Sequence, residues 1–333
     1  MKKLNINFSP KDTKAEELMS TVLGRCIGEL MVEDENVIAL DADVGFGKLI
    51  GSRVIEKFPD RFIDVGIAEA NMIGIACGLS QKGKIPFTYT FGCFASRRAL
   101  DQIYISGAFG GAQVKMIGSM PGITADINGG THMAIEDIAI MRTIPKMTVV
   151  EPSDMIQGEQ VLRLAKNSPG MFYIRWERKA QSRFYEPGST FELGKAVTLH
   201  EGKDITIIAS GYLSLNESLK AAEFLEDEGL LVRVIDMFTL KPIDRVIIQQ
   251  AVLETGGLVT VENHNVIGGL GSAVSEVMAE TEAAPLEMVG IRDKFGEVGD
   301  LASLKEKYGL TAQNIVKAAK RVLVRKQNKR NSK

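Results

Sequence analysis

Several residue types that would announce a function are scarce in this 333-residue chain. There are three cysteines, Cys26, Cys77 and Cys93, and no CxxC pair. An odd count without ligand spacing argues against a disulfide framework or a zinc knot and fits a reducing cytoplasm. The three histidines, His132, His200 and His264, are scattered, so no metal site is expected on this chain. No apolar run reaches the ~18 residues of a membrane span. The opening MKKLNINFSP lacks the apolar core of a secretory leader. Charge of neither sign dominates: 40 Lys plus Arg against 42 Asp plus Glu gives a net −2. Nucleic acid and anionic membranes are therefore not expected partners. GxGxxG and GxxxxGK[ST] are both missing, which removes the dinucleotide and P-loop fingerprints.

What is present reads as about two globular domains. Apolar residues make up 45% and charged residues 25% of the chain, close to the soluble average. Short apolar runs predict strands at 36–41, 61–65, 85–91, 113–118, 147–151 and 171–175, with helical spacing at 16–31, 68–79 and 95–108. Ser153-Asp154 is an N-cap signal for a further helix. Strand–helix alternation predicts a parallel sheet covered on both faces, hence an α/β fold of two consecutive doubly wound domains. The periodicity stops in KAQSRFYEPGST, a turn-rich linker. It resumes with strands at 204–210, 231–236 and 257–262 and helices at 215–228 and 271–279. The parsing is an arm over 1–14, a domain over 15–180, a linker over 181–190, a domain over 191–325 and a basic tail over 326–333. The tail reads as a solvated terminus or, alternatively, a nucleic-acid arm.

Five places carry chemistry. In VGIAEANMIGIACGL, Glu69 is one of two polar residues in an otherwise apolar, small-residue helix. It is either a first-turn acid stabilised by the helix dipole or a buried acid that hydrogen-bonds a heterocyclic nitrogen and shares its proton. Phe91, Cys93 and Phe94 end a strand before Arg97 and Arg98, as core aromatics or as a shelf for a flat ring. GSMPGITADINGGT leads into His132, a structural histidine or a substrate-contacting acid–base group. Arg175 ends its strand, in a surface ion pair or holding a phosphate or carboxylate bidentately. GGLGSAVSEV opens a helix; it is a weak phosphate cradle and fits better as a loop packed tightly on another domain or subunit.

In series, FIDVGIAEANMIGIACGLS, TYTFGCFASRRALDQI, GGTHMAIEDIAIMRTIPKMTVVEPSD, IDMFTLKPID and VENHNVIGGLGSAVSEV resemble the C-terminal half of the transketolases, over about residues 15–320. The wider group includes deoxyxylulose-phosphate synthase and the beta subunits of oxo-acid dehydrogenases, and all use thiamine diphosphate. The resemblance implies a pyrimidine-binding domain over 15–180 and a transketolase C-terminal domain over 191–325. Glu69 matches the glutamate that contacts N1′ of the aminopyrimidine, favouring the imino form that takes the C2 proton. Phe91 and Phe94 match the aromatics around that ring. Asp43 and Val44, in DADVG, match the loop packed on it. His132 matches a histidine near the substrate hydroxyls, and Arg175 a sugar-phosphate arginine.

Three positions depart from the family pattern. Asn128 stands where an aspartate meets a donor hydroxyl. Gly47 replaces, roughly, a phosphate-site serine, and Ala125 lies nearest to a missing histidine. The GDG…NN motif that holds Mg²⁺ and the diphosphate does not occur in this chain. The resemblance therefore implies one subunit of a split transketolase, with a separate N-terminal subunit carrying GDG…NN and an α₂β₂ assembly; the cysteine usage above places it in the cytoplasm. Its reaction moves a two-carbon ketol unit between sugars or sugar phosphates. Other readings are a deoxyxylulose-phosphate synthase-like or oxo-acid dehydrogenase beta subunit, or a non-catalytic partner.

Overall fold

The computed structural model describes residues 5–331. Residues 1–4 of the arm and 332–333 of the basic tail lie outside the described residues. Among the described residues, twelve strands form two sheets. β1 (Val37–Asp41), β2 (Phe62–Asp64), β3 (Ile85–Phe91), β4 (Lys115–Ser119), β5 (Thr148–Val150) and β6 (Phe172–Trp176) belong to the first. β7 (Val197–His200), β8 (Ile205–Ala209), β9 (Val232–Asp236), β11 (Leu258–Asn265) and β12 (Leu286–Ile291) form the second. β10 (Thr239–Lys241) follows β9 in sequence but joins the first sheet, antiparallel to β5. The orders are β10-β5-β6-β4-β3-β1-β2 and β12-β11-β8-β9-β7. Every other pairing in the first sheet is parallel, as is every pairing in the second except that of β7.

The central strands β1, β4, β6 and β8 are buried at every position, as strands covered on both faces must be. Their apolar runs were legible for that reason. β7, β10 and β12 carry mixed or partly exposed patterns and sit at sheet edges. They escaped a reading based on apolar runs.

Arm and linker are not loose. Residues 5–15 run beside 181–190, with backbone hydrogen bonds from Ser9 N to Phe184 O (2.9 Å), Arg183 N to Thr13 O (2.9 Å) and Glu186 N to Asn7 O (2.8 Å). Tyr185 is fully buried, and its hydroxyl donates to Asp236 at the end of β9 (2.7 Å). The basic tail extends the helix Ala312–Asn331 instead of fraying from 326. The segment read as one helix at 95–108 is a succession of wide π turns, Phe94–Arg98 and Ile103–Phe109, around one α turn, Leu100–Gln102. Such turns recur at functional sites.

Candidate active site

The carboxyl ends of the parallel strands gather the candidate residues on one edge of the first sheet. β1 ends in Asp41, whose buried carboxylate accepts from the backbone N–H of Val44 (3.1 Å), Gly45 (3.1 Å) and Phe46 (2.7 Å). That clamp folds DADVG into a tight turn with Asp43 at φ 57°. Burial raises the Asp41 carboxyl above its usual range, against the three N–H donors. Asp64, ending β2, accepts from Asp43 N (3.2 Å) and Gly66 N (2.9 Å). It thereby ties the Asp43–Val44 turn to the loop that leads into Glu69.

Glu69 is the first residue of the helix Glu69–Gln81 and is 1% exposed. Both of its oxygens accept from Nη1 of Arg98 at 2.9 Å. Arg98 is half-exposed and lies over the Phe94 ring at 4.1 Å. The deeply buried carboxylate thus sits behind one half-exposed side chain, Arg98, which lines the cleft. Phe91, Phe94 and His132 meet edge to face, with centroids 5.8, 5.4 and 5.2 Å apart. Neighbouring Arg97 pairs with Glu136 (3.0 Å) and donates to the Thr131 carbonyl (3.3 Å), fixing the His132 loop against the π turns. His132 Nδ1 lies 2.9 Å from the Thr131 hydroxyl.

Segment 293–299 from the second domain completes the rim; with Gly130 and Thr131 its Phe295 and Gly296 line the cleft beside Phe94 and Arg98. A side chain at Gly130 would strike the Gly296 carbonyl. This contribution was not legible, because no periodicity places a C-terminal loop over an N-terminal strand end.

Glu69, Phe91, Phe94 and His132 are brought together, and Asp64 links Asp43 and Val44 to the same edge. Asn128 is exposed on the 120–132 loop, its Nδ2 3.8 Å from Met120 Sδ. Arg175 is the correction. The side chain read as facing a cleft is fully buried within β6. Its Nε donates to Asp137 (2.8 Å), Nη1 to Glu151 (2.6 Å), and Nη2 to the carbonyls of Ala134 (3.0 Å) and Asn263 (3.1 Å). Burial pushes the Asp137 carboxyl up, but the Arg175 guanidinium, His264 and the Tyr173 hydroxyl together outweigh it and hold Asp137 below its usual range. Glu151 stays raised by burial despite the same arginine. With these donors committed between the two domains, Arg175 is a seam residue and not a substrate contact. Gly47 and Ala125 also point away from the cleft. A side chain at Gly47 would press on the Phe62 ring (2.9 Å), and Ala125 is in the core. GGLG is packed between domains: Arg142 Nη1 donates to Gly268 O (2.7 Å). The helix Leu270–Ala279 has its first N–H groups taken by buried Glu262, at 2.7 and 2.9 Å, in place of a phosphate.

Comparison with known proteins then decides the lineage. The model of the transketolase pyrimidine binding domain matches residues 17–182, and that of the transketolase C-terminal domain matches 194–315. The chain belongs to the transketolase family. It is 47% identical over 319 residues to the 6-deoxy-6-sulfo-D-fructose transketolase subunit SqwH of Clostridium sp. (strain MSTE9), covering 95% of this chain and 98% of that one. It is 35% identical over 292 residues to an apulose-4-phosphate transketolase subunit of Phocaeicola vulgatus, covering 87% and 93%. A split gene transketolase, solved as an inactive beta4 tetramer, superposes with a TM-score of 0.84 at 40% identity, over 93% of this chain and 99% of that one.

The family implies thiamine diphosphate, and the residues present fit its aminopyrimidine half. A buried carboxylate has a single exposed cation over it, and three edge-to-face rings stand beside it. Glu69 would face N1′, with Phe91 and Phe94 against the ring and Asp43–Val44 on its loop. Among the described residues no group of three or more His, Cys, Asp or Glu is placed to hold a metal ion.

Proposed function

We propose that this chain is the pyrimidine-side subunit of a split transketolase, moving a two-carbon ketol unit from a ketose to an aldose. Glu69 carries the reading. A carboxylate so deeply buried needs a partner, and its in-chain partner, Arg98, is itself half-exposed. Bound thiamine diphosphate supplies the electron sink for breaking the bond beside a ketose carbonyl. Glu69 holds and shares a proton at N1′. Phe91 and Phe94 orient the ring and exclude water from it. His132, packed on both rings, meets the substrate hydroxyls nearest the reacting carbonyl and moves protons there. Asn128 meets the donor's next hydroxyl, where an amide can donate as well as accept.

A separate subunit carrying GDG…NN brings Mg²⁺ and the diphosphate site, and two copies of each chain form the assembly. Support comes from the near-complete mutual coverage of this chain with proteins themselves named as transketolase subunits. The cytoplasm is the compartment proposed, consistent with three buried free thiols and with no helix long and apolar enough to cross a membrane among the described residues. Those relatives are named for a sulfonated ketose and a ketose phosphate, so the proposed substrates are open-chain sugars with an anionic end. The test is reconstitution with the GDG…NN subunit and a donor panel of xylulose 5-phosphate, fructose 6-phosphate and 6-deoxy-6-sulfofructose. Turnover of an anionic ketose is expected; no turnover of any of them overturns the reading.

A further inference from the structure

Another cleft lies on the second domain, away from the strand ends that carry Glu69 and His132. It sits between the end of β12, the helix Leu301–Tyr308 and the helix Ala312–Asn331, and encloses about 380 Å³. That volume suits a small molecule. Arg292, Lys294, Lys307 and Arg321 line it against one carboxylate, Glu306. In a chain whose net charge is −2, four cations brought together from three elements make a local field that attracts anions. Two of the four already have partners: Arg321 Nε donates to Glu287 (2.9 Å), and Lys307 pairs with Glu297. Arg292 and Lys294 have no carboxylate partner among the described residues. Arg292 Nη2 donates only to the Met288 carbonyl (2.6 Å), which holds the guanidinium at the strand end. Uncompensated like charges in one cleft repel each other, and a bound anion relieves that repulsion. Asp293, between the two, has φ 46°, a left-handed form that a non-glycine residue keeps only where its surroundings impose it.

One segment joins this cleft to the active site. Lys294 lines the cationic cleft, and the residues that follow it, Phe295 and Gly296, line the rim beside Phe94 and Arg98. Buried Tyr308, in the wall of the cationic cleft, donates its hydroxyl to the Phe295 carbonyl (2.7 Å). Lys307, in the same wall, holds Glu297 of the rim. The Gly296 carbonyl in turn packs so closely on Gly130 that no side chain fits there. A ligand that draws on Lys294 and Lys307 therefore acts on backbone packed against the His132 loop.

We propose that this cleft binds a small phosphate-bearing anion, and that its occupancy orders the rim of the active site through segment 293–299. The residue types favour phosphate. An arginine fork takes two of its oxygens in parallel, and ammonium groups serve it as point charges. Arg292 supplies the fork, and Lys294 and Lys307 supply the ammonium groups. Neither the cleft nor its link to the rim depends on the reaction proposed above.

The test titrates the full chain with inorganic pyrophosphate, inorganic phosphate and citrate by calorimetry at low ionic strength, and follows amide hydrogen exchange of the same samples. Three forms are compared: wild type, the double variant Arg292→Gln with Lys294→Gln, and Tyr308→Phe. Pyrophosphate should bind the wild type more tightly than phosphate or citrate, and added salt should weaken it. The double variant changes only exposed side chains, and its affinity for pyrophosphate should fall ~10–100-fold, the scale of lost charge-assisted contacts. Bound pyrophosphate should slow exchange over 293–299 and over 129–132 in the wild type. Tyr308→Phe should keep the affinity within a few-fold and lose the slowing at 129–132. No binding by the wild type overturns the site. So does undiminished binding by the double variant, which would place the anion elsewhere, as on Arg97 and Arg98 of the active-site cleft. Citrate held as tightly as pyrophosphate overturns the choice of phosphate. Slowed exchange that stops at 293–299 in the wild type overturns the link to the rim.

Discussion

Glu69 shows how far a single residue could be read. Its surroundings in sequence, glycine and alanine on both sides, forecast burial, and it is buried. What the sequence could not supply was its neighbour, because Arg98 reaches it across 29 positions by way of irregular π turns. Arg175 failed for a related reason. Its place at a strand's carboxyl end was legible, but Asp137, Glu151 and the Asn263 carbonyl that enclose it come from three other elements. Two outcomes separate these residues. Glu69→Gln keeps a hydrogen-bonding group but cannot share a proton, so turnover of the assembled enzyme should fall ~10²–10⁴-fold, with the unfolding midpoint held. Deuterium exchange at C2 of bound thiamine diphosphate checks this, and near-normal exchange would remove Glu69 from the role. Arg175→Met should act on stability instead. It strands two buried carboxyls, at a cost on the order of 3–5 kcal/mol, measurable by urea unfolding. A normal unfolding midpoint with a raised KM for phosphorylated sugars would restore its place as a substrate contact.

At the scale of elements, the strand ends of the first sheet were predictable because apolar runs bounded by acid and glycine mark buried parallel strands. Crossings between domains were not, since they are made by short or irregular pieces: β10, segment 293–299 and the linker. Gly130→Ala tests one crossing. With no room beside the Gly296 carbonyl, which is backbone and cannot yield as a side chain would, the His132 loop must shift, and both kcat and the unfolding midpoint should drop; unchanged kinetics would show that segment 293–299 does not set that loop. The linker crossing is tested by pH. Asp236 accepts from Ser153 and Gln157 of the first domain (2.8 and 2.9 Å) and from Tyr185 of the linker (2.7 Å). Burial pushes its carboxyl up to about 6. A raised folded-state value favours the protonated native form, so this stabilisation is full below about pH 4 and is lost as pH rises through about 6. Asp236→Asn cannot titrate. The stability of wild type relative to this variant should therefore fall between pH 4 and 6, by on the order of 3 kcal/mol. A pH-independent difference in urea-unfolding free energy would contradict the burial argument.

For the whole molecule, the fold and the family belong to this one chain, and the proposal assigns it the aminopyrimidine half of a cofactor site and gives the other half to a partner. The cleft is ringed by side chains from both domains, Arg97 and Arg98 from the first and Phe295 and Glu297 from the second among them. The most direct measurement is the transfer of a two-carbon unit from an anionic ketose in the presence of thiamine diphosphate and Mg²⁺. The chain is assayed alone and then mixed with the GDG…NN subunit. No turnover alone and turnover on mixing, saturating at equal amounts of the two chains, is the predicted result; turnover by the isolated chain, or none from the mixture, would contradict it.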